Sequence, residues 1–186
     1  LAYSSINNVG FILLGLAAAS AAGASAMLVY LAIYVAMTVG SFVAVLLLRD
    51  IDGQPVEDIA ALAGLSTTRP ALAWCLMILM FSLAGIPPMF GFWGKFVVFQ
   101  AAVQADLIAL AAIGIAASVI GAFYYLKFVK VMFFDPPADR VLGASDRPHW
   151  ALLVVATAFI SPLGFLVNGW LGALADAAAA SLFLTA

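Results

Sequence analysis

Charged residues are scarce in this chain. Only 9% of its 186 residues are charged and 67% are hydrophobic, and the mean hydropathy is +1.20. A soluble domain is about half apolar and about a quarter charged. The composition therefore excludes an ordinary soluble domain and indicates an integral membrane protein. Because the sequence has no basic cluster with interleaved aromatic residues, we expect no nucleic-acid partner.

The sequence has a single cysteine and shows no signal-peptide pattern at its start. A single cysteine, Cys75, cannot form a disulfide framework or a cysteine-based metal cluster within the chain. We therefore expect no metal site and interpret Cys75 as a small packing residue. The sequence starts at Leu1 without a methionine, a basic segment or a signal-peptide cleavage pattern. We expect it to be the C-terminal portion of a longer polypeptide.

Long apolar runs dominate the chain instead. A transmembrane helix needs about 20 mostly apolar residues, so the sequence predicts an all-α, polytopic transmembrane helix bundle that forms one membrane domain over residues 1–186. The small residues at 21–25 predict a turn after the first span, and a polar segment predicts a short surface helix that starts near residues 55–58. A kink is expected at Pro162. The five predicted spans cover about residues 4–22, 26–48, 72–103, 107–134 and 150–172.

The basic residues predict the orientation of these spans. Lysine and arginine favour cytoplasmic loops, and six of the seven basic residues lie in or beside the loops that follow spans two and four. The start of the chain is then cytoplasmic and its C-terminus periplasmic. The seventh basic residue is Lys95, within span three. The six are Arg49, Arg69, Lys127, Lys130, Arg140 and Arg147.

Span three is interrupted by the segment "AGIPP", residues 84–88. Adjacent prolines remove two backbone donors and disfavour helical geometry in the residue before each of them. Non-helical backbone at membrane depth is tolerated only where it is buried in protein or lines a water-filled cavity. The sequence therefore predicts one discontinuous helix and a hydrated or protein-enclosed site beside it. The predicted break comprises Gly85, Ile86, Pro87 and Pro88.

Lys95 follows this break and falls well inside the predicted span. A lysine at the bilayer centre costs about 2.5–3.5 kcal/mol on insertion scales. Two interpretations remain open: Lys95 is structural and bonds a freed carbonyl or reaches an interface, or it is a proton-transfer group. We favour proton transfer because no other acid–base group lies in this span. Lys127, near the predicted cytoplasmic end of span four, is a weaker candidate for a proton relay.

Polar residues also lie on the first two spans. Tyr30, Tyr34, Thr38 and Ser41 share one side of a helix by their spacing. Ser4, Ser5 and Asn8 form a polar entry to span one. These side chains either join helices by hydrogen bonds or organise water along a conduction path.

Three segments resemble a known family. "LAYSSINNVG", "FSLAGIPPMFGFWGKF" and "FYYLKFVKVMFF" occur in the order and spacing of the antiporter-like membrane subunits of respiratory complex I, with the subunit N branch as the nearest. The resemblance implies part of an antiporter-like inverted-repeat fold. It places Pro87 and Pro88 at the family's helix break and Lys95 at its proton-transfer lysine. Many members carry histidine where this chain has Asn8, so a titratable relay at that position is not expected.

The resemblance implies a proton-translocating membrane subunit of NADH:quinone oxidoreductase, in which Lys95 couples quinone reduction to proton transfer. It implies no cofactor in this chain, with FMN, iron–sulfur clusters, quinone and NADH bound elsewhere in the complex. Its expected partners are the neighbouring antiporter-like subunit M, the small subunits A, J and K, and lipid of the bacterial inner membrane. Two alternatives stay open: a cation/proton antiporter subunit of the multi-subunit type, and a structural membrane subunit with an inactive channel.

Overall fold

The structure is a computed structural model that describes residues 2–50, 52–56, 58–137 and 146–183. Arg140, used above to predict orientation, and residue 57 of the predicted surface helix lie outside the described residues. The fold within them is an all-α bundle, which confirms the predicted class. Its α-helices are α1 (Ala2–Ala17), α2 (Ala21–Leu46), α3 (Leu65–Thr68), α4 (Pro70–Ala84), α5 (Phe90–Gln104), α6 (Ile108–Phe134), α7 (Arg147–Ile160) and α8 (Asn168–Phe183), with 3-10 helices at Ile59–Leu62 and Pro162–Val167.

Helix α2 lies at the centre of the bundle and contacts α1, α4, α5, α7 and α8. A helix that is apolar nearly all round is expected in the core of a large protein or a membrane bundle. The side chains of Ile33, Met37 and Ala44 on α2 are completely buried. A Cβ at Gly40 would lie 2.7 Å from Leu79 and 3.1 Å from Ala156. This glycine therefore lets α4 and α7 pack closely on α2.

The first turn lies earlier than the sequence predicts. Helix α1 ends at Ala17 and α2 starts at Ala21, so the small residues at 21–25 form the first turn of α2 and do not connect the helices. Ser20 caps α2, since its hydroxyl accepts a hydrogen bond from the Gly23 N–H at 3.1 Å. A serine cap satisfies one of the free N–H groups at a helix start. The predicted boundary was wrong because the small residues serve close helix packing: a Cβ at Gly23 would lie 2.7 Å from Ala18.

Within the described part of the loop between spans two and three, two short turns take the place of the predicted surface helix. Asp58 caps the 3-10 helix Ile59–Leu62, because its carboxylate accepts from the Ala60 N–H at 3.0 Å. Helix α3 follows, and Leu62 and Leu65 are buried in the core. Pro70 then starts α4 at a position where the missing N–H has no helical partner to lose.

The last predicted span is interrupted, not merely kinked. Helix α7 ends at Ile160, a 3-10 helix covers Pro162–Val167, and α8 continues to Phe183, beyond the predicted end at residue 172. Pro162 supplies no N–H to the carbonyl four residues earlier, a loss that kinks or breaks an α-helix, and here the helix is broken. The chain therefore has a second discontinuous helix, which the sequence did not predict.

Among the described residues, three segments are long and apolar enough to cross a membrane by length and composition: α2, α6 and Pro162–Phe183. The apolar helices α4, α7 and residues 4–17 of α1 are shorter. Helices α4 and α5 together, and α6 alone, lie close to the predicted bounds of spans three and four. The count of five spans stays a prediction.

Candidate functional site

The break between α4 and α5 frees a backbone carbonyl. Helix α4 ends at Ala84, and its cap residue Gly85 has a left-handed backbone with φ +80° and ψ +42°. Its N–H donates to the carbonyls of Phe81 and Ser82, both at 3.1 Å. In a continuing helix the next carbonyl, that of Leu83, would accept from residue 87. Because residue 87 is a proline without an N–H, the Leu83 carbonyl needs another donor.

Lys95 supplies that donor. Its Nζ lies 2.8 Å from the Leu83 carbonyl oxygen and 3.1 Å from Ser118 Oγ. The side chain is only 4% exposed, and no other charged residue in the described part of the chain is buried. Lys95 thus connects both halves of the broken helix to α6.

The ring of Phe11 completes the surroundings of the ammonium group. Lys95 Nζ lies 4.8 Å from the ring centroid, within the range of a cation–π interaction. The ion pairs seen among the described residues, Lys130 with Asp135 and His149 with Asp146, do not include Lys95. Lys95 is therefore held by a carbonyl, a hydroxyl and an aromatic ring, without a carboxylate from the described residues.

Three glycines allow this arrangement. A Cβ at Gly85 would lie 3.1 Å from Lys95 Cδ, and a Cβ at Gly91 would overlap the Ser82 carbonyl oxygen. The Gly91 N–H donates to Ser82 Oγ at 3.0 Å, so the start of α5 lies against the end of α4. A Cβ at Gly94 would lie 2.8 Å from Tyr30 of α2. The glycines bring α5 close enough to α4 and α2 for Lys95 to reach back to the break.

A second polar cluster joins α1, α2 and α6 around Asn8, which is completely buried. The Tyr30 hydroxyl donates to Asn8 Oδ1 at 2.8 Å, and Asn8 Nδ2 donates to the Ser4 carbonyl at 2.9 Å. The hydroxyls of Ser4 and Tyr125 are hydrogen-bonded to each other. Phe11 packs edge-on against Tyr30, with ring centroids 6.1 Å apart. The Asn8 cluster and the lysine site are therefore neighbours that share one aromatic ring.

A small cavity gathers most of the residues that the sequence predicts for a polar path. Its volume is about 10 Å³, close to the smallest that holds one water molecule. Ser41 is 2% exposed, and its hydroxyl has no hydrogen-bond partner in the described part of the chain. A water molecule in this cavity would lie close to several hydroxyl groups. The cavity is lined by Ser4, Ser5, Tyr34, Thr38, Ser41, Phe42 and Leu83.

Lys127 lies apart from this site. It is exposed on α6, and no contact in the described residues joins it to Lys95. Lys130, one turn further on, is also exposed and pairs with Asp135.

Sequence reasoning missed three partners of the two clusters: Phe11, Ser118 and Tyr125. Tyr125 is buried and hydrogen-bonded to Ser4 of α1. Ser118 carried a signal, because it is the one hydroxyl residue in α6 before the tyrosine pair at 124–125. Phe11 had no signal, since a phenylalanine in an apolar helix is expected at any lipid or core position.

The sequence and the fold are similar to known membrane proteins. A protein-family model described as "NADH:quinone oxidoreductase/Mrp antiporter, TM" matches residues 1–121, which include the break, Lys95 and Ser118. The chain is 72% identical over 184 residues to a protein of Erythrobacter litoralis named NADH-quinone oxidoreductase subunit N. That alignment covers 99% of this chain and 38% of the relative. The chain thus spans well under half the length of this relative.

Two solved structures contain chains with a similar fold. One is respiratory complex I from Thermus thermophilus with bound aureothin, with a TM-score of 0.76 and 33% identity over 92% of this chain and 38% of the other. The second is the Mrp complex from Dietzia sp. DQ12-45-1b, with a TM-score of 0.74 over 96% of this chain and 41% of the other. At 24% identity, this second likeness concerns the fold alone.

Proposed function

Because the chain belongs to the NADH:quinone oxidoreductase/Mrp antiporter family of transmembrane proteins, we propose that it is part of a proton-translocating membrane subunit of NADH:quinone oxidoreductase. The single observation that carries this proposal is the buried Lys95 at a helix break. Intramembrane ionisable residues are rare and mark ion or proton pathways. The name of the Erythrobacter litoralis relative, subunit N of that enzyme, supports the same assignment.

Lys95 carries the proton in this proposal. Its ammonium form is stabilised by the Leu83 carbonyl at 2.8 Å and by the Phe11 ring at 4.8 Å. Neither group neutralises the charge, so a change of charge nearby can shift the balance between the protonated and neutral lysine. The proton is taken up from water chains when the surroundings favour the ammonium form, and it is released when they do not.

The polar residues around the small cavity organise the water that reaches Lys95. Ser4, Ser5, Tyr34 and Thr38 supply hydroxyls to this path, and Leu83 adjoins both the cavity and the lysine. Asn8 holds Tyr30 and Ser4 by hydrogen bonds; its amide orients groups and does not take up a proton. Lys127 is a candidate relay at the cytoplasmic end of α6, where its side chain is exposed.

The rest of the complex supplies the redox chemistry in this proposal. NADH, FMN, iron–sulfur clusters and quinone bind other subunits, and this chain contributes only proton transfer. Its partners are subunit M, the small subunits A, J and K, and the lipid of the bacterial inner membrane. Residue 2 faces the cytoplasm and α8 ends on the periplasmic side, as the distribution of basic residues predicts.

The decisive experiment replaces Lys95 in the complete subunit. We expect Lys95→Ala to abolish most proton uptake by inverted membrane vesicles supplied with NADH and quinone, while the complex still assembles on native gels. Lys130→Ala is the matched control, because that lysine is exposed and its described ion pair is with Asp135, away from Lys95, and its vesicles should pump normally. Full pumping by Lys95→Ala would leave the chain a structural subunit with an inactive channel.

The family description also includes Mrp antiporters, so cation/proton exchange is the second candidate. Replacing Na⁺ and K⁺ by choline in the same vesicle assay separates the two. Pumping that persists in choline agrees with our proposal. Pumping that requires an alkali cation, and is lost in Lys95→Ala, would favour the antiporter.

A further inference from the structure

The three groups around Lys95 Nζ differ in what they can do when the lysine loses its proton. The Leu83 carbonyl is an acceptor only, and the face of the Phe11 ring attracts a cation. The Ser118 hydroxyl, 3.1 Å from Nζ, is one donor and two acceptors, and it can rotate. Among the described contacts of Nζ, it alone can accept from the ammonium and donate to the neutral amine.

Ser118 also lies between the buried lysine and the outer face of α6. Lys95 is 4% exposed, whereas Ser118 is half-buried and its neighbours Val119 and Ile120 are 68% and 66% exposed in this chain. This chain spans 38% of the length of its relative, so the exposed face of α6 lies against lipid or the rest of the subunit. A group at this position reaches Lys95 on one side and that face on the other. The Leu83 carbonyl and the Phe11 ring, both of buried residues, have no such second side.

We propose that Ser118 is the hydroxyl through which Lys95 exchanges its proton with a water molecule held between α6 and the rest of the subunit. This inference rests on the proposed function. In the release step an Nζ–H bond of the ammonium breaks and a new O–H bond forms at Ser118 Oγ. The original O–H bond of Ser118 breaks at the same time, and its proton passes to a water molecule. The serine is unchanged in composition, the lysine becomes a neutral amine, and the rotated hydroxyl then donates to it.

The test compares two variants of equal shape in the complete subunit. The two new side chains have the same shape, but valine carries a methyl group where threonine carries a hydroxyl. We expect Ser118→Val to lower the rate of proton uptake by inverted vesicles roughly tenfold, because the variant loses one hydrogen bond to a charged group. Ser118→Thr should retain most of the rate. Native gels should show equal assembly of both variants.

A solvent isotope measurement separates proton exchange from a purely structural role. If the proton passes through Ser118, the D₂O effect on pumping by Ser118→Val should differ from that of the wild type and of Ser118→Thr. Ser181→Ala is the control, because the described hydrogen bond of that serine goes to the Ala178 carbonyl on exposed α8, and it should leave the rate and the isotope effect unchanged.

The outcomes distinguish this inference from the proposed function. Equal pumping by the Val and Thr variants, with pumping lost in Lys95→Ala, would overturn the role of Ser118 and keep that of Lys95. Normal pumping by Lys95→Ala would overturn both. If Ser118→Val failed to assemble, Ser118→Ala would replace it, with Ser118→Thr still the hydroxyl-bearing comparison.

Discussion

The two helix interruptions begin with the same backbone problem and solve it differently. Pro87 and Pro162 each lie four residues beyond a carbonyl, that of Leu83 or Ala158, which loses its helical donor. At the second interruption Ser161 Oγ donates to the Ala158 carbonyl at 2.8 Å, from three residues away. At the first, Lys95 Nζ donates to Leu83 from twelve residues away.

The second interruption is complete in itself. The Gly164 N–H donates to the Ser161 carbonyl at 2.9 Å, and the Leu163 N–H donates to Ser161 Oγ at 3.2 Å. Aromatic packing surrounds it: Phe90 lies edge-on to Phe159 and Phe165, with centroids 5.6 Å and 5.3 Å apart. A broken helix is therefore not an ion site by itself. An ion site also needs an ionisable side chain that donates to the freed carbonyl, as Lys95 does to Leu83 at the first interruption.

The largest expected effect is at Gly164. A Cβ there would overlap the Phe159 carbonyl oxygen and lie 2.6 Å from Phe90 Cδ1, and the backbone oxygen cannot move aside as a flexible side chain can. Overpacking costs about 1–3 kcal/mol and occasionally more, so we expect Gly164→Ala to lower the thermal midpoint and the yield of the purified complex. Gly172→Ala, with nothing within 4 Å of its Cβ, is the control. Wild-type stability of Gly164→Ala would show that the second interruption is loosely packed.

The next effect separates the two prolines. Pro87→Ala creates an N–H that competes with Lys95 for the Leu83 carbonyl, so we expect NADH-driven proton uptake to fall about tenfold, equivalent to about 1.4 kcal/mol. Pro162→Ala creates an N–H that competes only with Ser161 for the Ala158 carbonyl, and its pumping should stay normal. Equal losses in both variants would mean that pumping responds to helix continuity in general, not to the lysine.

The smallest effect concerns Gly85. Gly85→Ala strains a left-handed backbone by about 1–2 kcal/mol and places a Cβ 3.1 Å from Lys95 Cδ. Gly53→Ala is a matched control, because Gly53 has a similar φ of +77° and nothing within 4 Å. We expect both variants to lose a similar amount of thermal stability and only Gly85→Ala to pump more slowly. Identical pumping by the two variants would show that a displaced Lys95 side chain does not change activity.

Much of the fold could be predicted because it depends on hydrophobicity and on proline chemistry. The apolar runs predicted an all-α membrane bundle, and "AGIPP" predicted the first interruption close to its observed place. The boundaries failed where packing decides: the small residues at 21–25 look like a turn, but Gly23 lies buried in α2 against α1. Pro162 predicted only a kink, because the local hydrogen bonds of Ser161 that complete the interruption cannot be read from spacing.

The residues of the break and Lys95 could be predicted from the sequence, but the contacts that join them to other helices could not. The amino-acid sequence alone predicts a lysine beside a helix break in an apolar span, where both lysine and proline are costly. The packing of the helices is needed to see that Lys95 bonds the Leu83 carbonyl, that Ser118 and Phe11 from other helices surround it, and that Lys127 lies elsewhere. The physical reason is that a proline in the local sequence leaves a carbonyl without its helical donor. Which other donor reaches that carbonyl depends on how the helices pack.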